Sequence, residues 1–295
     1  VAGIHGNELN GIFDLSRLAA FLRQVEIGER PDARLLGRVV VIPAVNVLGV
    51  NTRRRRWPFD GTDINRMFPG YDAGETTQRI ASALLAATAS AEFRVDIHSS
   101  NLDFEELPQV RLYDATDAER RCAHWLGLPA VIERTSNPTF TSTLGHAWRK
   151  LGGVNLIVQA GQAGALQTQH CERLFRGLVS LLERTGALYG VALAESDDEV
   201  HHFGLRHTLP LISEHAGWFV SRLEVGHWVQ AGDVLGFVYD GFHGELRAEI
   251  RSPVSGLLSG LRRQPLLFEG DLLARIQTSV EVAEVTDTYL QAQGQ

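Results

Sequence analysis

VAGIHGNELNGIFDLSRLAAFLRQ, residues 1–24, is the stretch on which the reading of the fold turns. Val1-Ala2-Gly3-Ile4 has the texture of a strand end, and His5-Gly6-Asn7-Glu8 follows it directly. From Gly11 to Gln24, apolar residues recur at Ile12, Leu15, Leu18, Phe21 and Leu22, the spacing of a helix with one buried face. Strand, polar turn and helix in that order open an α/β unit, and side chains on such a turn emerge at the sheet edge where α/β ligands bind. Because the chain starts on what reads as a strand end, N-terminal strands are expected to precede it.

The alternation continues outward. Arg38–Pro43 (RVVVIP), Phe93–Ile97 (FRVDI) and Val154–Val158 (VNLIV) read as short buried strands, Thr76–Ala89 as a helix and Leu174–Tyr189 as a closing helix. Together they predict a largely parallel sheet flanked by helices. After Ala194 the acidic Ser196-Asp197-Asp198-Glu199 leads into short runs, Gly217–Leu223, Val234–Tyr239, Leu246–Ile250 and Leu272–Ile276, broken by turn residues. These predict a small all-β domain, so the chain divides into residues 1–198 and a β domain with tail at 199–295, the boundary falling near 195–205. GHWVQAGDVLG (226–236) and Ser252-Pro253-Val254-Ser255-Gly256 have the texture of barrel-sandwich modules such as biotinyl or lipoyl carriers. The chain's only lysine, Lys150, lies outside that region, which excludes a carrier role.

With 295 residues, 44% of them hydrophobic, the chain can bury a large core. A formal net charge of -7 argues against a broad grip on nucleic acid. No apolar run is long enough to span a bilayer, and no signal-peptide pattern opens the chain. Cys122 and Cys171 make no disulfide framework and no metal-ligand spacing, which points to a reducing cytoplasm. A homo-oligomer is left open.

A catalytic zinc takes three protein ligands and leaves a fourth position for water. His5 and Glu8 supply two, and His98, in Asp96-Ile97-His98-Ser99-Ser100 at another strand end, supplies the third. An HxxE pair by itself is common by chance. Asp63-Ile64-Asn65-Arg66-Met67-Phe68-Pro69-Gly70 adds an Asn and an Arg side by side, a pairing suited to a carboxylate. Taken singly, that loop also reads as a turn closed by Pro69-Gly70.

In this order the three pieces resemble the succinylglutamate desuccinylase and aspartoacylase family, relatives of the zinc carboxypeptidases, over nearly the whole chain. The resemblance implies a zinc carboxypeptidase-like mixed, largely parallel sheet and a C-terminal all-β domain. It implies one zinc held by His5, Glu8 and His98, and a substrate carboxylate met by Asn65 and Arg66. The bond cut would be the amide of an N-acyl amino acid or related small N-acyl amine. The family pattern also places a glutamate at the end of a later strand as general base, where this chain has Gln159 in Leu156-Ile157-Val158-Gln159-Ala160-Gly161. An amide has no useful basicity and can only position water. Three explanations stay open: an engineered substitution in an ordinary enzyme, a native pseudoenzyme that binds its ligand without turnover, or replacement by another carboxylate such as Glu105, Glu106 or Glu214. A metallocarboxypeptidase is a third functional reading, disfavoured because the family's C-terminal module narrows access.

Among the remaining polar residues, the Arg53-Arg54-Arg55-Arg56 run is expected to aim one arginine, Arg54 or Arg56, at the substrate, and Arg111 is a comparable candidate. Each also reads as a solvated or salt-bridged surface charge. Asp96 shares a strand face with His98 and can orient it, or cap a turn. His201, His202, His207, His215, His227 and His243 show no ligand spacing, and a loop near Tyr239–His243 is a candidate border of the pocket.

Overall fold

The computed structural model describes residues 1–136, 141–191, 199–279 and 281. Its contacts divide the chain into two units: Val1–Ser100 with Pro108–Val200, and Asn101–Leu107 with His201–Gln295. Asn101–Leu107, read from sequence as part of the first domain, packs in the second unit because Phe104, Glu105 and Glu106 pair antiparallel with the Gly256–Arg262 strand.

In the first unit Phe93–His98 and Val154–Gly161 run parallel, with His98 opposite Gln159. Phe104–Tyr113 lies beyond Val154–Gly161 and pairs in parallel with Ala130–Arg134. On the other flank Ala2 bridges Ile97 in parallel, so Val1–Ile4 delivers His5 to the same sheet end as His98. Alternation then sorts the side chains. Ile97, Leu156 and Val158 join the cluster beneath the helices Leu9–Glu26, Asp117–Trp125 and Thr168–Arg184. Ile157 points the opposite way, toward Gly145 and the Leu144–Leu151 helix. On that side Ile64, Phe68, Ala81, Leu84, Leu144 and Trp148 form a separate cluster. Trp148 Nε1 donates to Thr88 Oγ1 at 2.8 Å and ties Leu144–Leu151 to the Thr76–Thr88 helix.

Two expected elements are corrected. Arg38–Pro43 forms no strand, because the segment beside it gives it a single ladder bond, Ala2 N–H to Ile42 C=O. The closing helix spans Thr168–Arg184 rather than Leu174–Tyr189, and Leu188–Tyr189 pairs instead with Arg34–Leu35. Its first turn is polar and escaped the apolar pattern. There Asn10 accepts Gln167 N–H at 2.8 Å and donates to Ala160 C=O at 3.1 Å. A Cβ on Gly161, at φ +71, would lie 2.1 Å from Gln167 Oε1, so this junction requires glycine.

The second unit is all β. Gly256–Arg262, Leu272–Gln277 and Thr208–Ile212 are antiparallel neighbours, and Leu246–Arg251, Val234–Tyr239, Gly217–Ser221 and Leu266–Leu267 make a four-stranded sheet. Phe219, Leu235, Val238, Leu258, Leu261 and Ile276 fill its core.

One group in the first unit is out of balance. Asp14 is fully buried on the Leu9–Glu26 helix, and neither carboxylate oxygen has a hydrogen-bond partner among the described residues. Burial pushes its carboxyl up to about 7, with Arg17 opposing and Glu172 adding to the shift. The folded state therefore holds this proton more tightly than the unfolded chain does, so stability falls as pH rises from the ordinary carboxylate range through 7. Asp14→Asn should raise stability at pH 8 by on the order of 2 kcal/mol and flatten the pH dependence between about 4 and 7 in denaturant titrations. A variant less stable than its parent at pH 8 would contradict this.

Candidate metal centre

The His5–Glu8 turn is shaped by close packing. A Cβ on Gly6 would lie 2.2 Å from the backbone carbon of Gly49, so only glycine lets the turn nest against the Val47–Asn51 helix. Glu8 stands at the N-cap position of the Leu9–Glu26 helix without a side-chain capping bond, its carboxylate turned instead to His5. His98 arrives from the end of Phe93–His98.

The three side chains converge. His5 Nδ1 lies 2.8 Å from Glu8 Oε1, and His98 Nδ1 lies 2.9 Å from Glu8 Oε2. His5, Glu8 and His98 are only 3%, 2% and 6% exposed, and their ligand atoms all fall within 4.8 Å of one another. Each ring's other nitrogen donates to a carboxylate: His5 Nε2 to Asp63 Oδ1 at 3.0 Å, His98 Nε2 to Asp96 Oδ2 at 2.9 Å. Each Nδ1 faces a Glu8 oxygen, an arrangement satisfied either by a proton on the ring or by a cation between them. The donor set, its burial and its backing carboxylates fit a divalent metal. No other group of His, Cys, Asp and Glu among the described residues converges in this way.

The electrostatics carry the same demand for positive charge. Burial opposes a charged His98, yet the Asp96 and Glu8 carboxylates outweigh it and raise the imidazole to about 10. Burial likewise opposes an ionised Glu8, and His98 and His5 overturn it, holding that carboxyl well below its usual range. Asp63, part-buried and bonded to His5, is lowered to about 2. Asp63 was quoted from sequence without a role; its signal was its place two residues before Asn65, whose N–H it accepts at 2.9 Å.

A cavity of about 260 Å³ opens from this cluster, lined by residues of the first unit. Asn65, Arg66, Arg111, Asp96 and Gln159 all line it, as read from sequence. Asn65 Oδ1 accepts Leu144 N–H at 2.9 Å, which leaves the NH2 group as the side chain's donor on the cavity wall. Arg54 and Arg56 do not line it: both are exposed, and Arg54 bonds Pro58 C=O. The arginine that does is Arg55, donating to Glu8 Oε1 at 2.8 Å, because the chain turns by one residue there and Gly6 N–H is held by Arg55 C=O. Gln159 Oε1 is buried and has no hydrogen-bond partner among the described residues. None of Glu105, Glu106 and Glu214 lines the cavity. Glu105 pairs with Arg263 and Glu106 with Arg275 inside the β unit, and Glu214 is exposed. Reasoning from sequence missed Tyr113, Ser136, His146, Arg149 and Asn155 on the cavity wall. Only Thr143, which caps the Leu144–Leu151 helix by accepting His146 N–H, left a readable sign of that wall.

Removing either backing carboxylate, Asp63→Asn or Asp96→Asn, should weaken affinity for zinc roughly 10- to 100-fold in competition with a chromophoric chelator. Unchanged affinity in both variants would contradict the geometry described.

Residues 1–184 match the succinylglutamate desuccinylase/aspartoacylase catalytic domain. The N-alpha-acetyl-L-2,4-diaminobutyric acid deacetylase of Halomonas elongata is 26% identical over 289 residues, covering 95% of this chain and 81% of the relative. A succinylglutamate desuccinylase structure from Silicibacter sp. TM1040 superposes with a TM-score of 0.77 at 24% identity, covering 94% of this chain and 83% of that one. The product-bound ectoine utilization protein EutE (DoeB) from Ruegeria pomeroyi gives 0.75 at 23% identity, covering 95% and 84%. These solved structures share its mixed α/β fold. The chain belongs to the succinylglutamate desuccinylase/aspartoacylase family.

Proposed function

We propose that the chain is a zinc-dependent hydrolase of linear amides that removes the acyl group from an N-acyl amino acid or a related small N-acyl amine. The observation that carries this reading is the buried His5–Glu8–His98 donor set opening onto a cavity whose wall presents Asn65 and Arg66. Zinc held there would polarise the acyl carbonyl and acidify the attacking water. Arg66 and the Asn65 NH2 group bind the substrate carboxylate and set the amide's orientation, and Asp63 and Asp96 fix the two imidazoles. Arg55 supplies a further positive group beside Glu8.

The cavity's charges narrow the substrate. Four arginines line it, Arg55, Arg66, Arg111 and Arg149, of which Arg55 pairs with Glu8 and Arg149 with Asp114; of the two carboxylates among the described lining residues, Glu8 holds His5 and His98 and Asp96 holds His98. An anionic acyl amino acid fits this field, whereas a free ammonium finds no uncommitted carboxylate among the described lining residues. The second reading, a protein that binds its ligand without turnover, is favoured by Gln159, since an amide at that place cannot carry a proton. Two free, buried cysteines suit a reducing cytoplasm, and no helix among the described residues is long and apolar enough to cross a membrane.

Purified protein should hold about one zinc per chain. Gln159→Glu should raise kcat on N-acyl amino acids about 10-fold or more, a general base being worth on the order of 10² to 10⁴. Zinc-loaded Gln159→Glu protein without turnover on a broad acyl panel would favour the binding reading. Among substrates, those derived from acidic amino acids should be cleaved faster than those with a free side-chain amine, measured as kcat/KM; the reverse order would overturn the charge argument.

A further inference from the structure

Amide hydrolysis needs a group that takes a proton from water and returns one to the leaving nitrogen. Glu8 and Asp96 are committed to the two histidines, Gln159 is an amide, and the carboxylates of Glu105, Glu106 and Glu214 lie off the cavity wall. One other cavity-lining imidazole is present, on His146. It is half-buried in the first turn of the Leu144–Leu151 helix. That turn is fixed at two points: Leu144 N–H bonds Asn65 Oδ1 at 2.9 Å, and His146 N–H bonds Thr143 Oγ1 at 3.2 Å. Gly145 beside it packs on Ile157, which shares a strand face with Gln159. The imidazole is thereby carried on a helix start pinned to the carboxylate-binding loop and seated over the strand that bears Gln159.

Building on the hydrolase reading, we propose that His146 is the proton-transfer residue of this chain, a catalytic role that the Gln159 amide leaves vacant. In the reaction the water oxygen bonds to the acyl carbon and one water proton passes to the His146 imidazole. As the C–N bond breaks, the imidazolium returns that proton to the leaving nitrogen, and the carboxylic acid formed gives its remaining proton to the freed amine. Imidazole is the side-chain chemistry suited to both transfers near neutral pH. The charged groups that line the same cavity are Arg149 on its own helix, Arg66 on the Asn65 loop, Arg55 after the Val47–Asn51 helix, Arg111 on Phe104–Tyr113, and the Glu8–His98–Asp96 cluster with His5.

The test is a cycle of zinc-loaded variants assayed on an N-acyl amino acid, with ligand affinity measured by calorimetry on each. His146→Gln should lower kcat of the parent about 100-fold, leave ligand affinity within about 2-fold and remove the ascending limb of the pH profile. His146→Glu, which restores an acid–base group, should recover most of the loss. In the Gln159→Glu background the carboxylate takes over, so His146→Gln should cost less than about 3-fold. An equal loss in both backgrounds, or a parent whose kcat and pH profile ignore His146→Gln, would overturn the proposal. A silent parent beside an active Gln159→Glu variant would overturn it alone, whereas silence of both would also sink the hydrolase reading.

Discussion

The Glu8 carboxylate, buried between two imidazole nitrogens at 2.8 and 2.9 Å, is the contact on which the rest of the site depends. A largely buried carboxylate set against two imidazoles is stable only around positive charge, whether a proton on the rings or a cation between them. Everything nearby serves that geometry. Asp63 and Asp96 hold the outer ring nitrogens, Gly6 allows the turn to pack, and Arg55 leans on the same carboxylate. The fold brings these pieces together by parallel registration. Val1–Ile4 beside Phe93–His98 puts His5 and His98 at one sheet end, and Val154–Gly161 adds Gln159 opposite His98.

The convergence of His5, Glu8 and His98 was legible in the sequence because the pieces are local. HxxE spans one turn and Asp96-Ile97-His98 one strand end, so residue type and spacing alone narrow the options. The Asn65–Arg66 pair was legible for the same reason. The choice among four consecutive arginines was not: it depends on one backbone turn near Gly6, and the structure selects Arg55 over Arg54 and Arg56. Nor could periodicity reveal the start of the Thr168–Arg184 helix, where Asn10, Gln167 and Cys171 bury polar atoms against one another. His146, Arg149 and Tyr113 reach the cavity from elements far apart in sequence, with no shared spacing to connect them.

Gln159 gives the site its tension. Among the described residues its side-chain oxygen has no hydrogen-bond partner, and it stands on the cavity wall with Asn65 and Arg66, a neutral amide where the family pattern leads one to expect a carboxylate. Binding and proton transfer are separate demands on an amidase, met by different atoms. On the proposed reading the arginines and Asn65 address the first, and the second falls to an imidazole or carboxylate that reaches the scissile bond.

The most direct measurement is diffraction from crystals grown with zinc, collected on both sides of the zinc absorption edge. The account predicts one anomalous peak per chain, bonded to His5 Nδ1, His98 Nδ1 and the Glu8 carboxylate. No peak at that position, or a peak held by other residues, would contradict it.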